Sequence, residues 1–486
     1  MKVLGFDLGA SSGRAIIGIY NNGKITLEEI HRFENIPIER EGHLYWNIDA
    51  LFNEIKTGIK KCAPIHPDIQ SISIDTWGCD FALTGADGEI VHSPLHYRDS
   101  LTENVMNEVF KIIPKETMYK NAGIGFMRFN TVFQLYALKR WQPEIFEKAD
   151  KLLFMPDLFG FLLTGNLTCE DTIASTSGLI NLESRQPDAE ILKKLDIKPS
   201  LFPNMCKSGT ELGTLKENIA KELGVPQFKI ITGAGHDTAS AVAAAPLCND
   251  SCYISCGTWS LLGIENPAPI TDSNALESNF TNERGYGGTI RFLKNISGLW
   301  LLQESRRQWQ REGINLSFAE IESAVANNAS KDVYLDVERE EFSSPGNLPS
   351  LFNRFLLETG QKELSDKTDI AQCILESLAL SYDYSIKQLE RITSRNFQAI
   401  NIIGGGSQDV NLMQYTANAT GKKVIAGPVE ATALGNIIVQ LITAGVIKNV
   451  AEGRAKIDGL KTFLPENEAS WNQKREKYSA LMKNVS

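Results

Sequence analysis

With 486 residues, 42% hydrophobic and 22% charged, the chain has a globular makeup and the length for two or three domains with buried cores. Its net charge of −10 comes without any long Lys/Arg run, which argues against nucleic acid as the main partner. No apolar run reaches the ~18 residues of a membrane span, and the first residues lack the charged-then-apolar pattern of an export leader, so a cytoplasmic protein is expected.

Val3–Leu8, Arg14–Tyr20 and Lys24–Phe33 read as a three-stranded meander, with Asn21-Asn22-Gly23 as a hairpin turn. Between the first two strands lies Gly9-Ala10-Ser11-Ser12-Gly13. Small residues there let backbone N–H groups close around phosphate oxygens. The turn is not a Walker loop, because no GxxxxGK[ST] occurs in the chain. Asp7 enters the turn, where a carboxylate suits a hydrated Mg²⁺ or simply bonds to turn amides. Arg14 leaves it, as a phosphate contact or a surface residue. Asn47 is placed to cap a helix over Ile48–Cys62, whose Ile48, Leu51, Phe52, Ile55 and Ile59 share one face. A buried strand, Ile69–Asp75, then ends in Thr76-Trp77-Gly78-Cys79-Asp80, and Phe81–Thr84 with the Asp87-Gly88 turn reads as another hairpin. Trp77 either stacks on a sugar face or fills the core. Asp80 and the pair Arg98-Asp99 offer bidentate hydrogen bonds suited to vicinal hydroxyls, or form a surface salt bridge.

Residues 100–230 mix helical stretches with loops. Phe228–Thr232 is a strand running into Gly233-Ala234-Gly235-His236-Asp237-Thr238, followed by a helix of small residues over Thr238–Ala245. Asp237 therefore projects from a helix N-terminus. It is the best candidate for the carboxylate that accepts a hydroxyl proton during phosphoryl transfer; the plainer alternative is a helix cap. A metal at His236 has no second His or Cys at ligand spacing. Pro246–Ser251 reads as a hinge, giving domains 1–246 and 247–486. The second half opens on Cys252–Glu265, CYISCGTWSLLGIE, repeating the strand–turn–strand of Val3–Tyr20. Thr368–Thr393 is the longest helix candidate. Ile400–Ile403 leads into Gly404-Gly405-Gly406, and a strand Val424–Ala426 and a helix Val429–Leu441 follow. The eight cysteines read as buried free thiols, since Cys248, Cys252 and Cys256 fit no usual zinc spacing.

Duplicated strand meanders interleaved with long helices argue for an α/β chain. Two small-residue turns, one per half, would grip a polyphosphate from both sides. Together, FDLGASSGR, IDTWGCDF, YRDS, GHDTASAV, SCGTWSL, KNISGLWLLQ and GPVEATALGN resemble the FGGY carbohydrate kinases, from Val3 to about Leu441. The resemblance implies a two-lobed, duplicated actin-like (ribonuclease H-like) ATPase fold with a nucleotide cleft between the lobes. It also implies ATP as co-substrate, Mg²⁺, and a small ketose as acceptor. Within the family the motifs are most similar to the branch that phosphorylates L-rhamnulose at its 1-hydroxyl, with L-fuculose or L-xylulose as alternative acceptors. By motif position, Asp237 would be the base, and Gly78, His236, Thr238 and Asn295 would meet the sugar alongside Asp80 and Arg98. Ala10, Ser11, Ser12, Gly13 and Arg14 would hold the ATP phosphates. Thr258, Gln303 and a glycine of 404–406 would meet ATP from the second half. The segment 285–303 departs from the family's usual second signature, so the substrates of xylulose and glycerol kinases are not carried over to this chain, while the nucleotide reading stands. Of the rival classes, an actin-like ATPase without a metabolic role has no use for TWGCDF, YRD and HDT. A sugar-binding regulator on this scaffold is expected to carry an added DNA-binding segment.

Overall fold

In the computed structural model, which describes residues 1–485, the chain opens on three strands, β1 (Lys2–Leu8), β2 (Ser12–Asn21) and β3 (Lys24–Glu34). Asn22 and Gly23 turn the chain with φ of 48° and 81°, the left-handed conformation that an Asn-Gly hairpin supplies. Further on come β4 (Ile69–Thr76), β5 (Glu211–Thr214) and β6 (Lys229–Ile231). The sheet order is β5-β6-β4-β1-β2-β3, with β4 parallel to β1 and β6, and β5 antiparallel at the edge.

Both faces of this sheet are covered, so β1 is apolar along most of its length. Helix α1 (Ile48–Ile65) begins where the Asn47 side chain accepts from the Ala50 N–H at 3.2 Å, and it buries Ile48, Leu51, Ile55 and Ile59 as its periodicity predicts. Gly58 of α1 packs so closely that a Cβ would lie 2.7 Å from Phe6. Helices α2 (Asp237–Ala243) and α3 (Ala431–Thr443) lie together on the other face, where a Cβ on Gly18 would meet Ile437 at 2.3 Å. α3 starts two residues later than the sequence suggests, because Gly427, at φ 106°, and Pro428 hold the preceding chain out of helix.

The described residues fall into two compact units. Unit 1 takes Met1–Ala244, Glu265–Phe292 and Ala431–Ile457; unit 2 takes Ala245–Ile264, Leu293–Glu430 and the chain from Asp458 onward. Unit 2 is built on β7 (Ser251–Cys256), β8 (Trp259–Asn266), β9 (Ile290–Ser297), β10 (Ala399–Ile403), β11 (Lys423–Ala426) and β12 (Lys461–Phe463). The order β9-β8-β7-β10-β11 repeats β3-β2-β1-β4-β6, and an antiparallel edge strand, β12 or β5, lies beyond each. That is the duplication read from the two strand–turn–strand segments. The outer ends of β8 and β9 carry the chain into unit 1 and back. The 27-residue helix Lys367–Thr393 buries Ile370, Ile374, Leu378, Tyr382 and Ile386 in unit 2.

The Phe81–Thr84 hairpin forms with Ile90–His92, and the sequence reading missed its second partner, Lys151–Phe154. All eight cysteines are free; Cys248 is exposed and Cys206 half-buried, and the rest are buried as expected. Among the described residues no helix is long and apolar enough to cross a membrane.

Candidate active site

The parallel pairing of β1 and β4 sets Asp7 beside Asp75 at the ends of their strands. β6 delivers the loop 232–236 next to them, with Thr76 donating its N–H to the Gly235 carbonyl at 2.9 Å. Asp237 follows as the first residue of α2. Asp75 is fully sealed: its Oδ2 accepts from Asn436 Nδ2 at 2.6 Å, and its Oδ1 has no partner. Burial, with the nearby Asp7 charge adding to it, holds the Asp75 carboxyl well above the usual carboxylate range. Asp7 stands opposite Arg14 in the hairpin register, and its Oδ2 accepts from Arg14 Nη2 at 2.6 Å.

Asp237 differs from both. Its side chain keeps 28% of its surface open. Oδ1 accepts from the Thr238 N–H at 2.6 Å and the Thr238 hydroxyl at 3.2 Å, while Oδ2 accepts nothing from the described residues. Burial raises its pKa; the neighbouring His236 works against that shift and the charge of Asp7 supports it. A partly exposed carboxylate with one unengaged oxygen and raised proton affinity is suited to act as a general base.

The loop before Asp237 is tied down by residues from elsewhere in unit 1. Glu170 Oε2 accepts from the Gly235 N–H at 3.1 Å, and Thr172 Oγ1 accepts from the His236 N–H at 3.2 Å. Glu170 is itself saturated by Thr172, Ile173 and Ser208. The His236 ring lies between Asp237 Oδ1, 3.4 Å from Nε2, and the buried pair Glu283 and Arg291. Glu283 is buried, yet the Arg291 guanidinium beside it works against that burial, and its pKa is held low. Gly78 faces the same ring: a Cβ there would lie 3.2 Å from His236 Nε2, so glycine keeps that side open. Thr238 is buried beside Asp237.

Asp80 is a correction to the direct sugar contact expected of it. It has no exposed surface, and its oxygens are committed to Trp46 Nε1 (2.6 Å), Trp77 Nε1 (2.9 Å) and Gln134 Nε2 (2.8 Å). Trp77 accordingly fills the core, its ring 4.1 Å from that of Trp46. Arg98 packs its guanidinium over the Tyr97 ring at 5.2 Å, and Asp99 accepts from the Leu44 and Leu101 N–H groups as a turn brace.

In the turn between β1 and β2, Gly9 N–H donates to the Ser12 carbonyl at 2.9 Å, and Asn35 Nδ2 donates to the Gly9 carbonyl. Ala10 and Ser12 are half-buried and Ser11 is exposed. Gly13 packs so tightly that a Cβ would lie 2.3 Å from the Phe33 ring. In unit 2, Thr258 Oγ1 donates to Gln303 Oε1 at 3.3 Å. The triple glycine packs on the end of β7, where a Cβ on Gly406 would lie 2.3 Å from Cys256 Sγ. Thr258, Gln303 and Gly404–Gly406 thus gather at one end of the unit 2 sheet. Asn295 lies half-buried on β9 in that same unit. Among the described residues no group of three or more His, Cys, Asp or Glu side chains forms a metal-binding cluster.

Residues 2–244 match the N-terminal domain of the FGGY family of carbohydrate kinases, and residues 252–444 match its C-terminal domain. The chain belongs to the FGGY family of carbohydrate kinases. Curated relatives named rhamnulokinase cover almost all of it. That of Halalkalibacterium halodurans is 43% identical over 93% of this chain and 96% of its own length, and that of Bacteroides thetaiotaomicron is 40% identical over 96% of each. The rhamnulokinase of Bacillus subtilis is 38% identical over 95% of each. Among solved structures, gluconate kinase and ligand-bound xylulose kinase from Lactobacillus acidophilus superpose over 100% of this chain and 98% of theirs. Both have a TM-score of 0.83, at 17% and 16% identity, a likeness of fold. As an FGGY carbohydrate kinase, the chain uses ATP as co-substrate.

Sequence reasoning missed Glu170, Thr172, Glu283, Arg291 and Asn436. Glu170 lies in CEDT, which looks like a turn, and Glu283 and Arg291 lie in a strand pair of ordinary composition. Asn436 was within reach: an amide in the apolar stretch ALGNIIVQL calls for a buried partner.

Proposed function

We propose that this kinase transfers the γ-phosphoryl group of ATP to the 1-hydroxyl of L-rhamnulose, giving L-rhamnulose 1-phosphate and ADP. The observation that carries the mechanism is Asp237 at the start of α2, whose side chain is 28% exposed and whose hydrogen bonds from the described residues all fall on Oδ1. The ketose 1-hydroxyl attacks the γ-phosphorus, and the bond from that phosphorus to the β-phosphate bridging oxygen breaks. The hydroxyl proton passes to Asp237 Oδ2 as the new O–P bond forms. The proton moves late, because the hydroxyl turns acidic only as phosphorus bonds to it, so a carboxylate of raised pKa is base enough. His236, Thr238, Gly78 and Asn295 are assigned to the sugar. Ala10–Arg14, Thr258, Gln303 and Gly404–Gly406 are assigned to the nucleotide. The choice of L-rhamnulose rests on relatives named rhamnulokinase, 36–43% identical over nearly the whole chain.

Mg²⁺ fits the same region. Asp75 has a buried, unpartnered oxygen, and its carboxyl is raised partly by the charge of Asp7, a repulsion that a nearby cation relieves. With no three-ligand cluster among the described residues, the ion is assigned to Asp7 through water, as suits Mg²⁺ delivered with ATP. Bound there, it would neutralise phosphate charge. The test is Asp237→Asn, assayed for ketose-dependent ADP release over L-rhamnulose, L-fuculose and L-xylulose, with melting temperature as a folding control. A kcat loss of about 10²–10⁴-fold on a folded variant is expected, with ketose KM little changed. Near-normal kcat refutes the base, and a preference for another ketose refutes the substrate.

A further inference from the structure

Arg291 is completely buried on β9, and its contacts dictate the protonation of the histidine next to the base. Its Nη2 lies 2.9 Å from Glu283 Oε2 and 2.9 Å from His236 Nδ1, while its Nε donates to the Arg284 carbonyl at 3.0 Å. A guanidinium offers only donors and keeps its proton. Nη2 therefore donates to both neighbours, and His236 Nδ1 is the acceptor. A neutral imidazole carries one N–H, which leaves it on Nε2. That nitrogen faces Asp237 Oδ1 at 3.4 Å and the open side above Gly78. Glu283 competes, with Oε2 3.2 Å from Nδ1. The Arg291 contact is the shorter of the two, and a guanidinium can only donate. Among the described residues, Asp237, Glu283 and Arg291 are the ionisable groups that touch the imidazole.

We propose that Arg291 is a positioning residue that fixes His236 as its Nε2–H tautomer, so that His236 donates a hydrogen bond to an acceptor oxygen of the ketose. The sugar half of this statement rests on the proposed ketose kinase activity; the tautomer does not. Without Arg291, Glu283 would draw a proton onto Nδ1, and Nε2 would either become an acceptor or belong to a charged ring. Either outcome changes what the sugar meets without touching the base or the nucleotide turn.

The decisive measurement is ¹⁵N NMR of histidine side chains in the full-length protein, with His236→Asn identifying its signals among the six histidines. The expected wild-type pattern at neutral pH is a pyrrole-type Nε2 and a pyridine-type Nδ1. A pyrrole-type Nδ1, or a doubly protonated ring, overturns the proposal. Arg291→Met should convert Nδ1 to a protonated nitrogen. It should raise ketose KM or lower ketose kcat/KM by about 10- to 100-fold, the range of one hydrogen bond lost at a buried site. ATP KM should stay within about twofold, an asymmetry that a general loss of fold would not produce. A folded Arg291→Met with an unchanged histidine pattern overturns the proposal too. Should that variant fail to fold, Glu283→Gln, which removes the competing charge, is expected to keep the Nε2–H tautomer, and loss of it refutes the assignment. An enzyme that shows this tautomer but ignores every ketose would refute the proposed activity alone.

Discussion

Gly435 sits where α3 crosses α2, and replacing it with alanine tests whether that crossing seats the site. A Cβ on Gly435 would lie 1.7 Å from the Ser240 carbonyl oxygen and 2.5 Å from its carbon. Real Cβ contacts do not fall under 3.0 Å, so Gly435→Ala must drive the helices apart by at least about 1.3 Å. The obstacle is backbone, so no rotamer change relieves it. If α3 moves, Asn436 withdraws from Asp75, and a bond now at 2.6 Å passes out of hydrogen-bonding range. If α2 moves, Asp237 goes with it, since it is the first residue of that helix. Overpacking a buried contact costs about 1–3 kcal/mol. An unsatisfied oxygen on a sealed carboxyl adds about 1–3 kcal/mol more, giving about 2–6 kcal/mol against a total stability of about 5–15 kcal/mol. Unit 1 holds roughly 300 residues, for which about 2.1 cal/mol/K per residue converts this to a fall of ~3–10 °C in Tm. Calorimetry gives the Tm, and ketose-dependent turnover below the transition gives kcat, which should fall as well. A Gly435→Ala protein melting within 1 °C of wild type, with unchanged kcat, would show that the close crossing has no bearing on stability or on Asp237.

Burial pushes the Asp80 carboxyl up to about 7, against the hydrogen bonds from Gln134, Trp46 and Trp77 that lower it. The folded state thus holds a proton that the unfolded chain releases near pH 4, so Asp80 removes stability progressively as pH rises from about 4 to 7. Asp80→Asn should therefore gain relative to wild type across that window in urea midpoints, and a pH-independent difference refutes the assignment. Glu170→Ala strands the N–H groups of Gly235, Thr172 and Ile173 at about 1–3 kcal/mol each, and should lose both stability and kcat. Glu170→Gln keeps an oxygen for those donors and should stay close to wild type; equal damage from both would deny that the accepting oxygen matters. Gly404 has φ 85° and ψ −176°, a conformation nearly exclusive to glycine. Gly404→Ala, strained by about 1–3 kcal/mol, should raise ATP KM with ketose KM unchanged, and an unaltered ATP KM would remove the triple glycine from the nucleotide site.

The parts of this molecule legible in its sequence are those set by local chemistry. Asn22-Gly23 specifies a hairpin because its two residues take positive φ readily. Asn47 and the spacing of Ile48, Leu51, Ile55 and Ile59 specify α1, because a cap and a face need only one turn of context. Asp237 stood out because a strand, a run of small residues and a helix are all visible around it. What stayed hidden depends on partners distant in sequence. Glu170 is 65 residues from the Gly235 amide it holds, and Asn436 is 361 from Asp75. Asp80 was misread for the same reason: a carboxylate among aromatic residues has the same appearance in sequence whether it points at a ligand or, as here, inward at Trp46, Trp77 and Gln134.

The duplicated sheets also show how the two units differ at matching strand ends. The registers of β1 with β2 and β4, and of β7 with β8 and β10, are counterparts, so positions can be compared strand by strand. In unit 1 the strand end pairs Asp7 with Arg14 on one side and with Asp75 on the other. In unit 2 the corresponding Ser255 pairs with Leu261 and Ile403. The backbone frame is the same, yet one copy brings two carboxylates and a guanidinium to its strand ends while the other brings a hydroxyl and aliphatic groups. Burial, with the Asp7 charge adding to it, raises the Asp75 carboxyl, which suits the neighbourhood to a cation. The neutral copy has no such repulsion to relieve, and its strand ends are free to be lined by Thr258 and the glycines of 404–406, whose small side chains leave the backbone reachable. At these register-equivalent positions the two copies share strand order and differ in their side chains.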